Sequence, residues 1–447
     1  MDVKNRVVGL LNNILSTMDG GLPKVESTTE SLHSIGNSIL NYTPRFNEFT
    51  NALVNKIFIT VLRSKSYKSH YGVFDKGTMA LGSTINEIYN DLCDVHGFDP
   101  DTAYQTIFQL HKLPVQAAFH SVNIRAQYDL SIGREELAQA FTSFEGLDEY
   151  IQNQIARLWT SLEYDKEQLF KYTLAIAILD GKVKAVSVDA PASGTAEASI
   201  VAIKKVGDYM GYMSTSYNMA KVRNFTENGE LYVLTSVDFD AVTDVYALAK
   251  AFNLEKDAFI GHRVQFDDFG NIDSERLAKI LDKDSGYVEL TATQLGYLSK
   301  IHAVVCDKNF PMFYTTLLDM GEVRVVNGLY NNYTLNYWAI LSMSPFENAA
   351  IFTSQASSVS SVTVSGLDAI SMVGTYDYNA TVATVGFAEK TVTWKVEAGT
   401  AANADKVSID AFGRLTVKAS YATGTYVITA TSTADNSVTG TKTVTLS

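Results

Sequence analysis

Near residue 355 the texture of the chain changes abruptly, and that break limits what the whole can fold into. Upstream, charged residues, aromatics and helical spacings are mixed. Downstream, Thr, Ser, Val, Ala and Gly dominate and no helical stripe survives. The junction, TSQASSVSS at 353–361, is small and polar and reads as a linker. Residues 356–447 then carry short alternating runs: VTV at 362–364, TVTWKV at 391–396, RLTVK at 414–418, TYVITAT at 425–431 and TKTVTL at 441–446. Period-two alternation marks strands buried on one face, and turn signals at Ala411-Phe412-Gly413 and Thr423-Gly424 separate them. Strands at this spacing predict an all-β sandwich with Trp394 as core anchor, held by packing alone because the segment has no cysteine.

The first 355 residues read as α+β. Apolar residues recur at Phe144, Leu147, Ile151, Ile155, Leu158 and Leu162, spaced by threes and fours, which predicts one amphipathic helix over about 135–165. Glu145, Asp148, Gln152 and Arg157 fall largely off that stripe. Such a helix is longer than a small domain is wide and suits an elongated subunit. IFITVLRS at 57–64 and HSVNIRAQYDLSI at 120–132 look extended and flank an irregular stretch, the pattern of a projecting hairpin-like arm. LYVLTSVDF at 231–239, DVYALAKAFN at 244–253 and HRVQFDDF at 262–269 suggest alternating strands and short helices, and residues 321–352 read as paired strands.

With 447 residues and 49.0 kDa, two or three domains are expected. A net charge of −13 argues against gripping nucleic acid, since phosphates require surplus Lys and Arg. Cys93 and Cys306 are too far apart in sequence for a disulfide framework, which fits a reducing compartment. The first residues, MDVKNRVVGLLNNILSTMDGG, read as an amphipathic helix rather than a signal peptide, because Asn12 and Asn13 interrupt the apolar run. No uninterrupted apolar run is long enough for a membrane span.

Each candidate for chemistry lacks a required residue. GTMALGST at 77–84 has the glycine spacing of a phosphate loop, but Ser83 stands where a lysine is needed, so a turn is expected. Asp91, Cys93 and His96 are close together but have no second ligand pair for a metal. DDFGNID at 267–273 places Gly270 at the wrong offset for a calcium loop, which leaves a solvated turn. The histidines at 33, 70, 96, 111, 120, 262 and 302 show no ligand spacing. LYNNYTLNYW at 329–338 is expected to be a packed sheet face rather than a stacking platform. No catalytic, cofactor-binding or metal residue is assigned, and no enzyme is expected.

Three segments carry a resemblance: KGTMALGSTINEIYNDL at 76–92, DVYALAKAFNLEKDAFIG at 244–261 and the stretch from Ala303 to Phe352. In order and spacing they are similar to the major capsid proteins of phi-29-like phages. The resemblance implies an HK-97-like capsid fold over residues 1–355. Within it the implied parts are an N-terminal arm to about 56, an E-loop region over about 57–128, a peripheral domain (130–180 with 320–352) carrying the long spine helix, and an axial domain over about 181–319. Residues 356–447 resemble a group 2 bacterial immunoglobulin-like domain. The implied role is structural: a head subunit that assembles with itself in hexamers and pentamers into an icosahedral or prolate virion shell, made in the host bacterial cytoplasm. Implied partners are scaffolding, portal and head-fibre proteins and packaged double-stranded DNA held without specific binding, with no membrane. Deleting residues 66–120 is expected to leave a soluble chain that does not assemble. The rival from another class is a surface adhesin or glycan-binding protein using the immunoglobulin-like domain; a cargo-enclosing nanocompartment is a third.

Overall fold

The computed structural model describes residues 3–18, 22–60, 69–93, 95, 97, 115–192, 195–242, 262–281, 287–402 and 404–447. Three helices come first: α1 (Val3–Leu15), α2 (Thr29–Leu40) and α3 (Thr43–Thr60). α1 is amphipathic as read, with Val7, Leu11 and Ile14 buried. The extended conformation expected from residue 57 is wrong as far as Thr60: these residues continue α3, and 61–64 lie outside the described residues. A short apolar run cannot tell strand from helix, and Phe46, Phe49 and Leu53 upstream already set a buried helical face.

The single helix expected over 135–165 is two. α4 (Arg134–Ala140) stops, and Ser143 adopts extended backbone and accepts a hydrogen bond from the Gly146 amide at 2.9 Å, which starts α5 (Phe144–Leu179). α5 runs 36 residues, about 54 Å at 1.5 Å per residue. Its length past 165 was hidden because Asp165, Glu167, Gln168 and Lys171 interrupt the stripe, yet all four are buried. They are buried because they are paired: Asp165 with Arg276, Lys171 with Asp267, and Gln168 with the Asp273 amide at 2.9 Å.

The strands of this body are β1 (Asp75–Thr78), β2 (Ile85–Asn90), β3 (Val115–His120), β4 (Ile124–Gly133), β5 (Lys184–Ser187), β6 (Leu231–Ser236), β7 (His262–Phe266), β8 (Ile301–Asp307), β9 (Pro311–Val325), β10 (Tyr330–Met343) and β11 (Ala349–Thr353). Further helices are α6 (Ala196–Met210) and the short Ser274–Ile280 and Ala292–Leu298. The strands form a sheet in the order β1-β9-β10-β4, a sheet β5-β11-β8-β6-β7, and the separate pair β2-β3. α5 packs on β10 and β4, and the turn His70–Phe74 inserts Tyr71 and Phe74 beside Phe170 in the same core. Central strands β6 and β8 are buried throughout, as expected of strands covered on both faces. β11 pairs with β8 and β5 rather than with β10, so residues 349–353 leave the paired-strand unit read at 321–352. Residues 244–261 lie outside the described residues.

The described residues within 358–446 form nine strands and no helix: β12 (Ser358–Ser365), β13 (Ala369–Ile370), β14 (Gly374–Asp377), β15 (Asn379–Val385), β16 (Val392–Ala398), β17 (Val407–Ile409), β18 (Arg414–Val417), β19 (Gly424–Ser432) and β20 (Thr439–Leu446). They pair as β13-β20-β19-β16, β14-β18-β17 and β12-β15 around Tyr378, Leu415, Tyr426, Ile428 and Val444. Trp394 is not the anchor expected; it is half-buried, because β16 is an edge strand and only one side is covered. Tyr378 and Tyr426 fill the centre instead.

The junction is no free linker. The Ser354 amide donates to Lys300 O at 3.0 Å, Lys300 Nζ donates to Gln355 Oε1 at 2.8 Å, and His302 Nε2 meets Ser354 Oγ at 2.8 Å. A second clamp comes from the β15–β16 loop. Phe387 joins the body's main core beside Tyr297, Lys390 Nζ donates to the last helical carbonyl of α5 at Leu179 (2.6 Å), and Glu389 pairs with Lys221 at 3.0 Å.

Candidate assembly surface

The pair β2-β3 stands apart from both larger sheets. Its register sets Asn86 against Phe119, Ile88 against Ala117 and Asn90 against Val115. Alternation puts these on one face, and Phe119 (74% exposed), Ile88 (65%) and Val115 (59%) show that this face is open. Leu92 and Val95 extend the exposed apolar strip. The opposite face, with Ile85, Glu87 and Tyr89, is half-buried toward the body. A two-stranded hairpin is marginal alone, and a contiguous exposed apolar patch on one marks an interaction site.

The root of the hairpin is fastened by polar contacts. Tyr89 donates through its hydroxyl to Arg223 O (2.7 Å), its ring stacks on Phe346 (5.9 Å), and Arg223 pairs with Asp91 (3.1 Å). His120 Nε2 meets Glu87 Oε2 (2.9 Å) and its Nδ1 meets Ser342 Oγ (2.8 Å). Asn123 exchanges two hydrogen bonds with the Leu341 backbone, which joins the hairpin's exit to β10.

The residues singled out from sequence fall into structural places. GTMALGST spans the end of β1 and the largely exposed turn that follows, and Gly77 (φ 93°) and Gly82 (φ 84°) take the left-handed conformation. Asp91 is occupied by Arg223 and the Leu92 amide, Cys93 is exposed, and His96 and His111 lie outside the described residues. Among the described residues no group of three His, Cys, Asp or Glu side chains is arranged to hold a metal. DDFGNID is not merely solvated: Asp267 binds buried Lys171, and Asp273 caps the helix Ser274–Ile280. His33 meets Thr142 O, His70 meets Glu167, His262 packs at a tilt against Tyr232, and burial lowers the pKa of His302. Burial also pushes the Cys306 thiol up, out of the range of a nucleophile. In the 329–338 run Tyr333 and Tyr337 are buried on the α5 side, the packed face expected.

The deletion of residues 66–120 is a poorer probe than the sequence suggested. It removes Tyr71 and Phe74, each 1% exposed, and so breaches the core as well as the arm. The open face itself was not legible beforehand. INEIYN does not alternate strictly in hydropathy, and its partner strand lies far along the chain. The available signal was the group of large apolar side chains (Ile88, Val115, Phe119) in segments too short and polar to form a core.

The model of the Phi29-like phage major capsid protein family matches residues 11–353 and so ends where β11 ends. The major capsid protein of Bacillus phage B103 is 27% identical over 415 residues, covering 89% of this chain and 86% of that protein. That of Bacillus phage PZA is 29% identical over 412 residues with the same coverages, 89% and 86%. A chain in the structure of head fiber and inner core protein gp22 of native bacteriophage P68 superposes with a TM-score of 0.51 at 12% identity, over 66% of this chain and 86% of that one. At that identity the likeness speaks for the fold, which is HK-97-like and α+β. The family match over residues 11–353 and the similar capsid proteins favour a capsid subunit over the adhesin alternative: the chain belongs to the Phi29-like phage major capsid protein family, structural subunits of the virion capsid.

Proposed function

We propose that the subunits build the shell as hexamers and pentamers in which hairpin β2-β3 lies across a neighbouring copy, with Ile88, Val115 and Phe119 facing it. The observation that carries this is the open apolar face of a strand pair too thin to bury it alone. Heterologous contacts repeated around a rotation axis close a shell while each remains individually weak. In this reading residues 1–355 are the capsid domain, the E-loop region spans about 57–128 and includes β2-β3, and about 181–319 form the axial domain. Residues 356–447 serve as an immunoglobulin-like domain on the capsid exterior, and their nine-strand all-β pairing supports that role. The subunit works without catalysis. It meets scaffolding, portal and head-fibre proteins, and it lines packaged DNA without gripping it, in keeping with the net charge of −13.

The test is the double substitution Ile88→Lys and Phe119→Lys, followed by electron microscopy of particles and thermal melting of the free subunit. Both side chains are exposed in the subunit, so melting stays unchanged while closed shells are lost. Closed shells at the wild-type yield would sink the lattice role of the hairpin.

A further inference from the structure

Where the hairpin meets the body, charged groups converge from several stretches of chain. Glu87 comes from β2, His120 from β3 and Lys76 from β1. Asp307 ends β8 and accepts the Asn309 amide at 2.7 Å, and Lys76 Nζ donates to Asn309 Oδ1 at 3.0 Å. Glu347 follows β10 and accepts from Asn224 Nδ2 at 3.1 Å, and the same amide group donates to Phe346 O at 2.9 Å. Thus Glu347 and Asn224 tie together the two segments, around 223–225 and 345–347, that receive Tyr89.

The charges do not balance. Glu347 faces Asp307 and Glu87, and Lys76 is the cation that faces all three carboxylates. Lys308 and Glu230 act on Lys76 and Asp307 respectively, and Arg223 is engaged by Asp91. Because Glu87 belongs to the hairpin and Glu347 to the body, repulsion between them acts directly on the seat.

We propose that this cluster is a proton-operated latch: protonated Glu347 lets the hairpin seat on the body, and loss of that proton loosens it. Burial, helped by Asp307, raises the Glu347 carboxyl from its ordinary 4.5 to about 7, against the Asn224 hydrogen bond. Burial likewise raises Asp307. For an acid raised in the seated state the sign follows directly. The contribution to seating falls as pH climbs to about 7, and it is set by the part of the shift that the hairpin supplies through Glu87 and the burial it adds, because Asp307 stays beside Glu347 in the body. The latch concerns the isolated subunit and stands whether or not the open face contacts a neighbour.

Hydrogen–deuterium exchange on unassembled full-length subunits tests it between pH 5 and 8, with rates normalised for intrinsic pH dependence. In the wild type, protection of 85–90 and 115–120 falls with rising pH while α5 stays protected. The drop is bounded by about 300-fold, the ratio set by 4.5 against about 7. Glu347→Gln flattens the profile. Glu87→Gln, which keeps the geometry for the bond to His120, removes a neighbouring charge and moves the midpoint to lower pH. A flat wild-type profile, a wild-type profile unchanged in Glu347→Gln, or an unmoved midpoint in Glu87→Gln would each overturn the latch.

Discussion

Phe387 offers a direct measure of how firmly the C-terminal sandwich is joined to the capsid body. It sits on the β15–β16 loop of the sandwich but is buried to 3% in the body's core, with its ring edge-on to Tyr297 at 6.4 Å. Around it Lys390 caps the end of α5 at Leu179 O, the Lys390 amide donates to Gly181 O at 3.2 Å, and Lys221 pairs with Glu389. Truncating a buried Phe to Ala costs about 3–5 kcal/mol where the cavity cannot collapse. A loop between two units can relax, so the lower end, about 3 kcal/mol, is expected here. That is a large share of a docking interface, and the cavity lies where the loop enters the edge of the body's core, leaving the sandwich's own core intact. Phe387→Ala should therefore release the sandwich without unfolding it. Residues 354–357 become a site of limited proteolysis, and denaturant unfolding separates into two transitions. Lys390→Met, which loses a charge-assisted bond to a helix C-terminal carbonyl, moves the same way by about 1.5–3 kcal/mol. If Phe387→Ala keeps the junction resistant to protease and the unfolding in its wild-type form, the loop is not a clamp and the reasoning from burial fails.

Three further substitutions follow from local geometry. Ser143→Ala removes the cap that starts α5 and should lower stability by about 1 kcal/mol in denaturant melts. Gly413→Ala forces a side chain onto φ 80° with its Cβ 2.3 Å from Tyr378 O, so the sandwich should lose about 2–3 kcal/mol or fail to fold, read by circular dichroism of the isolated transition. Lys171→Met leaves Glu167 and Asp267 without their buried ammonium, but the Asp267 side chain is 46% exposed and can rehydrate. The expected loss is therefore about 1–2 kcal/mol, below the 3–5 kcal/mol of a fully buried pair, measured by urea unfolding at neutral pH.

The parts of the fold that were legible in sequence are those whose burial is apolar and local. The stripe from Phe144 to Leu162, the amphipathic α1 and the alternation in β12, β16, β18, β19 and β20 all write their environment into hydropathy. What was not legible depended on partners distant in the chain. α5 continues past Asp165 because Arg276 and Asp267 bring countercharges from the segment after β7 and the short helix packed against α5. The junction at 354–357 looks like a linker in composition but is pinned by Lys300 and His302, neither of which is nearby in sequence. Trp394 reads as an anchor because it lies between Val392 and Val396 on one face, whereas the sheet order that puts it on an edge strand is a property of the pairing.

In the proposed shell the hairpin and the body divide the work of assembly in a way that follows from their construction. The body has a covered core, and the buried charges on α5 are paired. β2-β3 is the reverse, with apolar side chains outward and polar contacts inward at its root. Hydrogen bonds and ion pairs at a half-exposed root contribute about 0.5–1.5 kcal/mol each, so they aim the hairpin without locking it. An apolar face of this kind gains free energy only when another surface covers it. A subunit built this way is directed before it meets a neighbour and stabilised only afterwards. Weak contacts of that order can detach and re-form while a shell is still incomplete, and their number holds it once it closes. Moving the apolar side chains to the root and the polar ones outward would reverse both properties, giving a rigid arm with nothing to bind.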